Sequence, residues 1–157
     1  MYDFLDDNPG VECYPVDYTN HPANIAKNPG LISVNSTIEI DLTGQCCSES
    51  MGPRQFSGTG GQLDFVRGAF DAGGKSIIAF YSTAKGGEVS RVVPTLSPGA
   101  AVTTPRTDVH YVVSEFGAAR LKGRTTRERA EALIGLAHPR FRDELTRAAR
   151  ELGYLPG

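Results

Sequence analysis

Residues 37–43 alternate strictly, with Ile38, Ile40 and Leu42 separated by Glu39 and Asp41. A period of two puts the aliphatics on one face of an extended strand and the acids on the other, so this stretch belongs in a sheet with one buried face. The surrounding segments agree. Residues 31–35 read as a short apolar strand, 76–81 (SIIAFY) as a buried one, and 89–93, 101–103 and 109–113 as further strands. Residues 11–16 read as a short strand near the start, and 44–59, rich in Gly, Ser and Pro, as a loop.

Helical signals alternate with these strands. Residues 2–7 form a helix end closed by the turn signal Asn8-Pro9-Gly10, and 22–27 form a short helix. A longer helix runs from about Gly60 to Phe70; on it Asp64 and Arg67 are three apart and placed to pair with each other. Thr125 and Glu128 have the spacing of a capping box. Ala130, Leu133, Ile134 and Ala137 then follow a helical period, and Phe141, Leu145, Ala148, Ala149 and Leu152 trace a second stripe after His138-Pro139. The arginines of these two helices read as a solvated face. Strands alternating with helices give an α/β fold, and 157 residues suit one domain.

Charge narrows the partners. Sixteen Lys and Arg against eighteen Asp and Glu leave a net charge of −2, which offers no global field for a nucleic acid or an anionic membrane. An anionic ligand must therefore be caught by a local site. No apolar run approaches the ~18 residues of a membrane span, and no basic-then-apolar leader is present, so a cytoplasmic protein is expected. Cys13, Cys46 and Cys47 form neither a disulfide framework nor a zinc pattern. His21, His110 and His138 lack metal-ligand spacing, and no metal is expected.

The segment QFSGTGGQLDFVRGA at 55–69 sets Gly58, Gly60 and Gly61 just before a helix start. Glycines permit close approach, and a helix N-terminus offers free N–H groups and partial positive charge, which together suit an anion or a developing oxyanion. The same pattern also serves as a plain turn. Asn20, ahead of His21-Pro22, is either a helix cap or a site amide. Lys85, beside Gly86-Gly87, is either an exposed turn lysine or a ligand contact. Glu115, following a strand, is either a site carboxylate or a strand-end cap.

The wider wording resembles the acetyl-CoA hydrolase/transferase family, in its 4-hydroxybutyrate CoA-transferase-like branch. The resemblance is carried by FSGTGGQLDFVRGA at 56–69, VDYTNHP at 16–22, VNSTIEIDLTGQ at 34–45, AFYSTAKGGEVSRVVP at 79–94, GAAVTTPRTDVHYVVSEFGAARLKG at 99–123 and AHPRFRDEL at 137–145. It implies an open mixed sheet flanked by helices, of the kind shared with ribose-5-phosphate isomerases. The substrates it implies are acyl-coenzyme A and a small carboxylic acid, exchanged through a glutamate that forms first an acyl anhydride and then a CoA thioester. By motif, the Gly61 amide, with Gly60 beside it, serves the oxyanion and touches the thioester end, and Asn20 orients the reacting groups. Lys85 pairs with CoA phosphate or pantetheine oxygens, and Ile38 offers CoA a backbone contact. The resemblance puts the nucleophilic glutamate, with a glycine-containing loop that also holds CoA, upstream of residues 2–7. The expected arrangement is a C-terminal domain over 1–157, inactive alone and joined by an N-terminal half, a complementary subunit or a second copy. An acyl-CoA hydrolase and a non-catalytic CoA-binding module are the alternatives.

Overall fold

The structure, a computed structural model, describes residues 1–157. The chain opens with three single-turn helices, α1 (Tyr2–Leu5), α2 (Val16–Thr19) and α3 (Pro22–Ile25). Strands β1 (Ile32–Asn35), β2 (Glu39–Asp41), β3 (Cys46–Cys47), β4 (Ser50–Met51) and β5 (Arg54–Gln55) lead to α4 (Gln62–Asp71). After α4 come β6 (Lys75–Ala79), β7 (Thr83–Ala84), β8 (Val89–Ser90), β9 (Val92–Val93), β10 (Tyr111–Ser114) and β11 (Gly117–Arg120). Helices α5 (Thr126–Leu136) and α6 (Pro139–Glu151) close the chain.

The main sheet has the order β1-β6-β10-β11, with the first three strands parallel and β11 antiparallel at one edge. A smaller sheet, β3-β2-β9, stands beside it, and β4-β5 and β7-β8 are hairpins. This is the open mixed α/β sheet flanked by helices that the sequence leads one to expect. Several strands differ, however. Residues 11–16 are irregular up to the start of α2, since Pro15 cannot donate to a ladder. Residues 101–103 form no strand; Thr103 N donates to Cys46 O at 2.9 Å, and the next residue, Thr104, forms an isolated bridge with Cys46. The stretch read as a loop, 44–59, contains β3, β4 and β5, because Cys46 and Cys47 pair with Ile40 and Glu39 across a tight turn. Strand β11 has no apolar alternation to reveal it and exists by pairing with β10.

The alternation at 37–43 has a different meaning from the expected one. Ile40 and Leu42 are in the core, but Glu39 and Asp41 are buried as well, and Ile38 is the half-exposed member. The acids are tolerated because their oxygens are satisfied. Glu39 accepts from the Ser97 amide and hydroxyl, each at 2.8 Å. Asp41 accepts from Thr43 N, Thr43 Oγ1, Gln45 N and Gln45 Nε2 at 2.7–3.0 Å, which holds the β2–β3 turn.

The two faces of the main sheet are unlike. Ser33, Ser76, Ile78, Val112 and Ser114 alternate onto one face and are buried under α4 and the core. The registered neighbours between them, Ile32, Val34, Ile77, Ala79, Tyr111 and Val113, form the opposite face and are half-buried or exposed; Val34 is 64% exposed.

Helices α5 and α6 bury Ala130, Leu133 and Leu136, and Leu145 and Ala149, respectively. Each fully buried leucine is worth about 2 kcal/mol. The Thr125–Glu128 capping box forms in full. Their arginines are not all solvated. Arg129 is buried and donates to the carbonyls of Arg124, Thr43 and Arg106 at 3.1, 3.2 and 2.7 Å. Arg67 pairs with Asp108 at 3.1 Å rather than with Asp64. No helix is long and apolar enough to cross a membrane.

Candidate functional site

The residues singled out in the sequence fall into three places. The first is the start of α4. Gly61 is its N-cap, with no side-chain cap, and Gly60 has φ of +57°. The amides of Gly60, Gly61 and Gln62 donate to no acceptor in the chain. Asn20 ends α2 and lies directly over Gly61: a Cβ built there would run into Asn20 Nδ2 and come within 3.3 Å of Asn20 Cγ. Glycine is therefore required for close approach, and the structure brings Asn20 and Gly61 together. Asn20 does not cap α3; that role belongs to His21, whose Nδ1 accepts from Ala23 N at 3.3 Å. A depression of about 300 Å³ lies beside this helix start, lined by Asn20, His21, Asp17 and Asp64 but not by Gly60 or Gly61. Because Asp64 faces it, this end offers directed N–H groups rather than net positive charge.

Gly68 holds this arrangement. A Cβ there would overlap Ile25 and approach Pro22 O to 3.1 Å, so α3 rests directly on α4 and carries the Asn20-His21 segment to Gly61. The reading of the sequence missed Gly68. A glycine inside a helix costs ~0.5–1 kcal/mol relative to alanine, which is a signal that something must approach closely.

The second place is a cavity of about 530 Å³ between β2 and the β7–β8 hairpin, to which Ile38 and Lys85 both contribute, with Met51, Phe56 and Arg91. Lys85 is exposed in the hairpin turn at φ of +50°. The Ile38 amide already donates to Cys47 O at 2.8 Å, while its carbonyl accepts from nothing in the chain.

The third place is a cavity of about 330 Å³ lined by Ser36, Tyr81, Glu115 and Arg91. It lies where β1, β6 and β10 end, the carboxyl edge of a parallel sheet, where open α/β sheets bind ligands. Glu115 accepts from the Ser82 amide at 2.8 Å and the Ser82 hydroxyl at 2.7 Å. Slight desolvation pushes its pKa up, but those two hydrogen bonds, its own backbone amide and nearby His138 outweigh it and hold the carboxyl below the usual range. Glu115 is thus a clamp on Ser82 that also faces a cavity. No three His, Cys, Asp or Glu side chains gather where they could hold a metal ion, and the buried Cys46 thiol has its pKa pushed up by desolvation.

A family model described as the acetyl-CoA hydrolase/transferase C-terminal domain matches residues 1–149. The chain belongs to that family. This acetyl-CoA hydrolase/transferase family chain is 59% identical over 153 residues to the succinyl-CoA:cyclohexane-1-carboxylate CoA transferase of Geobacter metallireducens, covering 97% of the chain and 35% of that protein. It is 58% identical over 146 residues to the 4-hydroxybutyrate coenzyme A transferase of Clostridium kluyveri, covering 92% of the chain and 34% of that protein. The crystal structure of RipA from Yersinia pestis superposes with a TM-score of 0.91 at 54% identity, over 98% of this domain and 35% of RipA. The domain spans about a third of the length of the curated relatives it matches.

Proposed function

We propose that this domain supplies the oxyanion and CoA-holding side of a CoA-transferase that moves coenzyme A between an acyl-CoA and a small carboxylic acid. The observation that carries the reading is the uncapped start of α4, with free amides at Gly60 and Gly61 and the Asn20 amide packed against them. A thioester carbonyl at that point gains negative charge when a carboxylate attacks it. Amides already fixed toward the oxygen stabilise that charge without reorganising. Asn20 orients the carbonyl. The CoA arm follows the cavity past Ile38 toward Lys85, whose ammonium meets a phosphate.

The attacking glutamate comes from polypeptide corresponding to the remaining length of the relatives. Its docking place is the uncovered face of the main sheet around Ile32, Val34 and Tyr111. A sheet with parallel strands is normally covered on both faces, and this one is covered on one. Val34→Asp is expected to abolish co-purification with that polypeptide while leaving the thermal midpoint of the chain unchanged; continued association refutes the docking face. For the chemistry, the two polypeptides are combined and CoA exchange between butyryl-CoA and acetate is followed. Exchange that depends on Gly61 supports the reading. CoA release without acetate indicates hydrolysis instead, and neither product removes the domain from this chemistry.

A further inference from the structure

Arg91 is a cation whose position no structural need explains. It lines both the Ile38–Lys85 cavity and the Glu115 cavity. The salt bridges of the chain are Arg67–Asp108 and Arg124–Glu128, so Arg91 has no carboxylate partner. Of the five N–H donors of a guanidinium, one is used, from Nη1 to Thr37 O at 3.1 Å, and buried Nε has no acceptor in the chain. Arg129 shows what a structural arginine looks like in this fold, with three carbonyls around its guanidinium. Arg91 as a whole is half-buried, but buried donors such as its Nε are normally paired.

The backbone holds Arg91 firmly in place. Its amide donates to Ser82 O at 2.8 Å and its carbonyl accepts from Ile40 N at 2.9 Å. Ser82 is the residue clamped by Glu115. Opposite charges are thereby set around one small cavity whose remaining walls include Ala79, Phe80 and Val113. We infer that Arg91 receives the carboxylate of the acid substrate, with its aliphatic tail against those walls. The inference rests on the CoA-transferase reading and names the place of its second substrate. The Glu115 charge on the same wall disfavours a phosphate dianion and favours a ligand with one carboxylate and an uncharged tail.

Nitrogen-15 NMR of the arginine Nε–Hε groups of the wild-type 157-residue chain tests this directly. Sodium butyrate is expected to move the Arg91 signal saturably and leave Arg129 in place, while sodium chloride and inorganic phosphate at matched ionic strength do neither. A still Arg91 signal, or an equal response to chloride or phosphate, overturns the proposal. Arg91→Lys and Arg91→Gln, checked for fold by circular dichroism, should weaken butyrate binding about tenfold to a hundredfold, as loss of charged hydrogen bonds does. CoA binding to the wild-type chain, measured separately by calorimetry, tests the transferase reading itself. Butyrate binding through Arg91 with no CoA binding sinks the transferase reading and leaves the carboxylate site. CoA binding with Arg91 indifferent to butyrate does the reverse.

Discussion

Helices α4 and α5 begin in opposite ways. At α5, Thr125 Oγ1 accepts from Glu128 N at 3.3 Å and Glu128 Oε2 accepts from Thr125 N at 2.8 Å, so two of the amides at this helix start, those of Thr125 and Glu128, are closed by side chains. Arg124 adds an exposed ion pair to Glu128 at 2.9 Å. At α4 the N-cap is a glycine without a side chain, and the amides remain open beside Asn20. An uncapped helix start forgoes about 1 kcal/mol. The same chain applies the stabilising solution at one helix and withholds it at the other, and the proposed oxyanion role rests on that difference.

The contrast can be broken most severely at Gly61. Gly61→Val drives a side chain into Asn20 and blocks the approach to the amides. CoA exchange in the reconstituted enzyme is expected to fall ~10²–10³-fold, the usual loss when one oxyanion donor is removed. Turnover at the wild-type rate would take α4 out of the mechanism. Gly68→Val strikes the support instead. Its Cβ meets Ile25 and Pro22 O, so a loss of about 1–3 kcal/mol is expected in urea denaturation, together with slower exchange as Asn20 shifts. Full activity in the folded variant would show that the α3–α4 contact does not place Asn20.

Thr125→Ala tests the other helix. It should cost about 1 kcal/mol of stability and leave exchange per folded molecule unchanged; impaired exchange would mean that the two helix starts are not separate in function. The smallest effect concerns His110, which sits between Phe70 and Tyr111 on the covered side. Burial, then the charges of Arg120, Lys122 and Lys75, hold its pKa below the ordinary 6.5. The unfolded chain therefore binds this proton more readily. Its contribution to stability is complete above about pH 6.5 and is lost as the pH falls toward the lower folded value. The thermal midpoint should decline on acidification from pH 7.5, and His110→Phe should flatten that decline. An unchanged slope in the variant would assign the acid sensitivity to other groups.

Legibility in the sequence followed the strength of the side-chain pattern. The capping box, the start of α4 within two residues, and the β6 and β10 segments were readable because their signals are local. Strand β11 and the short strands inside 44–59 were not, because they are brief hairpin partners defined by backbone pairing and carry no apolar alternation of their own. Within the proposed site, Gly61 and Asn20 were singled out by motif, 41 positions apart, but nothing in either segment says that they touch. Arg91 gave no signal at all, since a lone arginine before two valines reads as surface until a cavity forms on either side of it.

By itself the sequence determined the α/β alternation, the α5 capping box and the family wording, all of which depend on spacing over a few residues. Only the tertiary structure decided that Glu39 and Asp41 are buried, that one face of the sheet stands open, and that Glu115 and Arg91 meet one cavity. Those are matters of solvation. Whether a charge is satisfied or a face is covered depends on groups brought together from far along the chain, and no local pattern encodes that proximity.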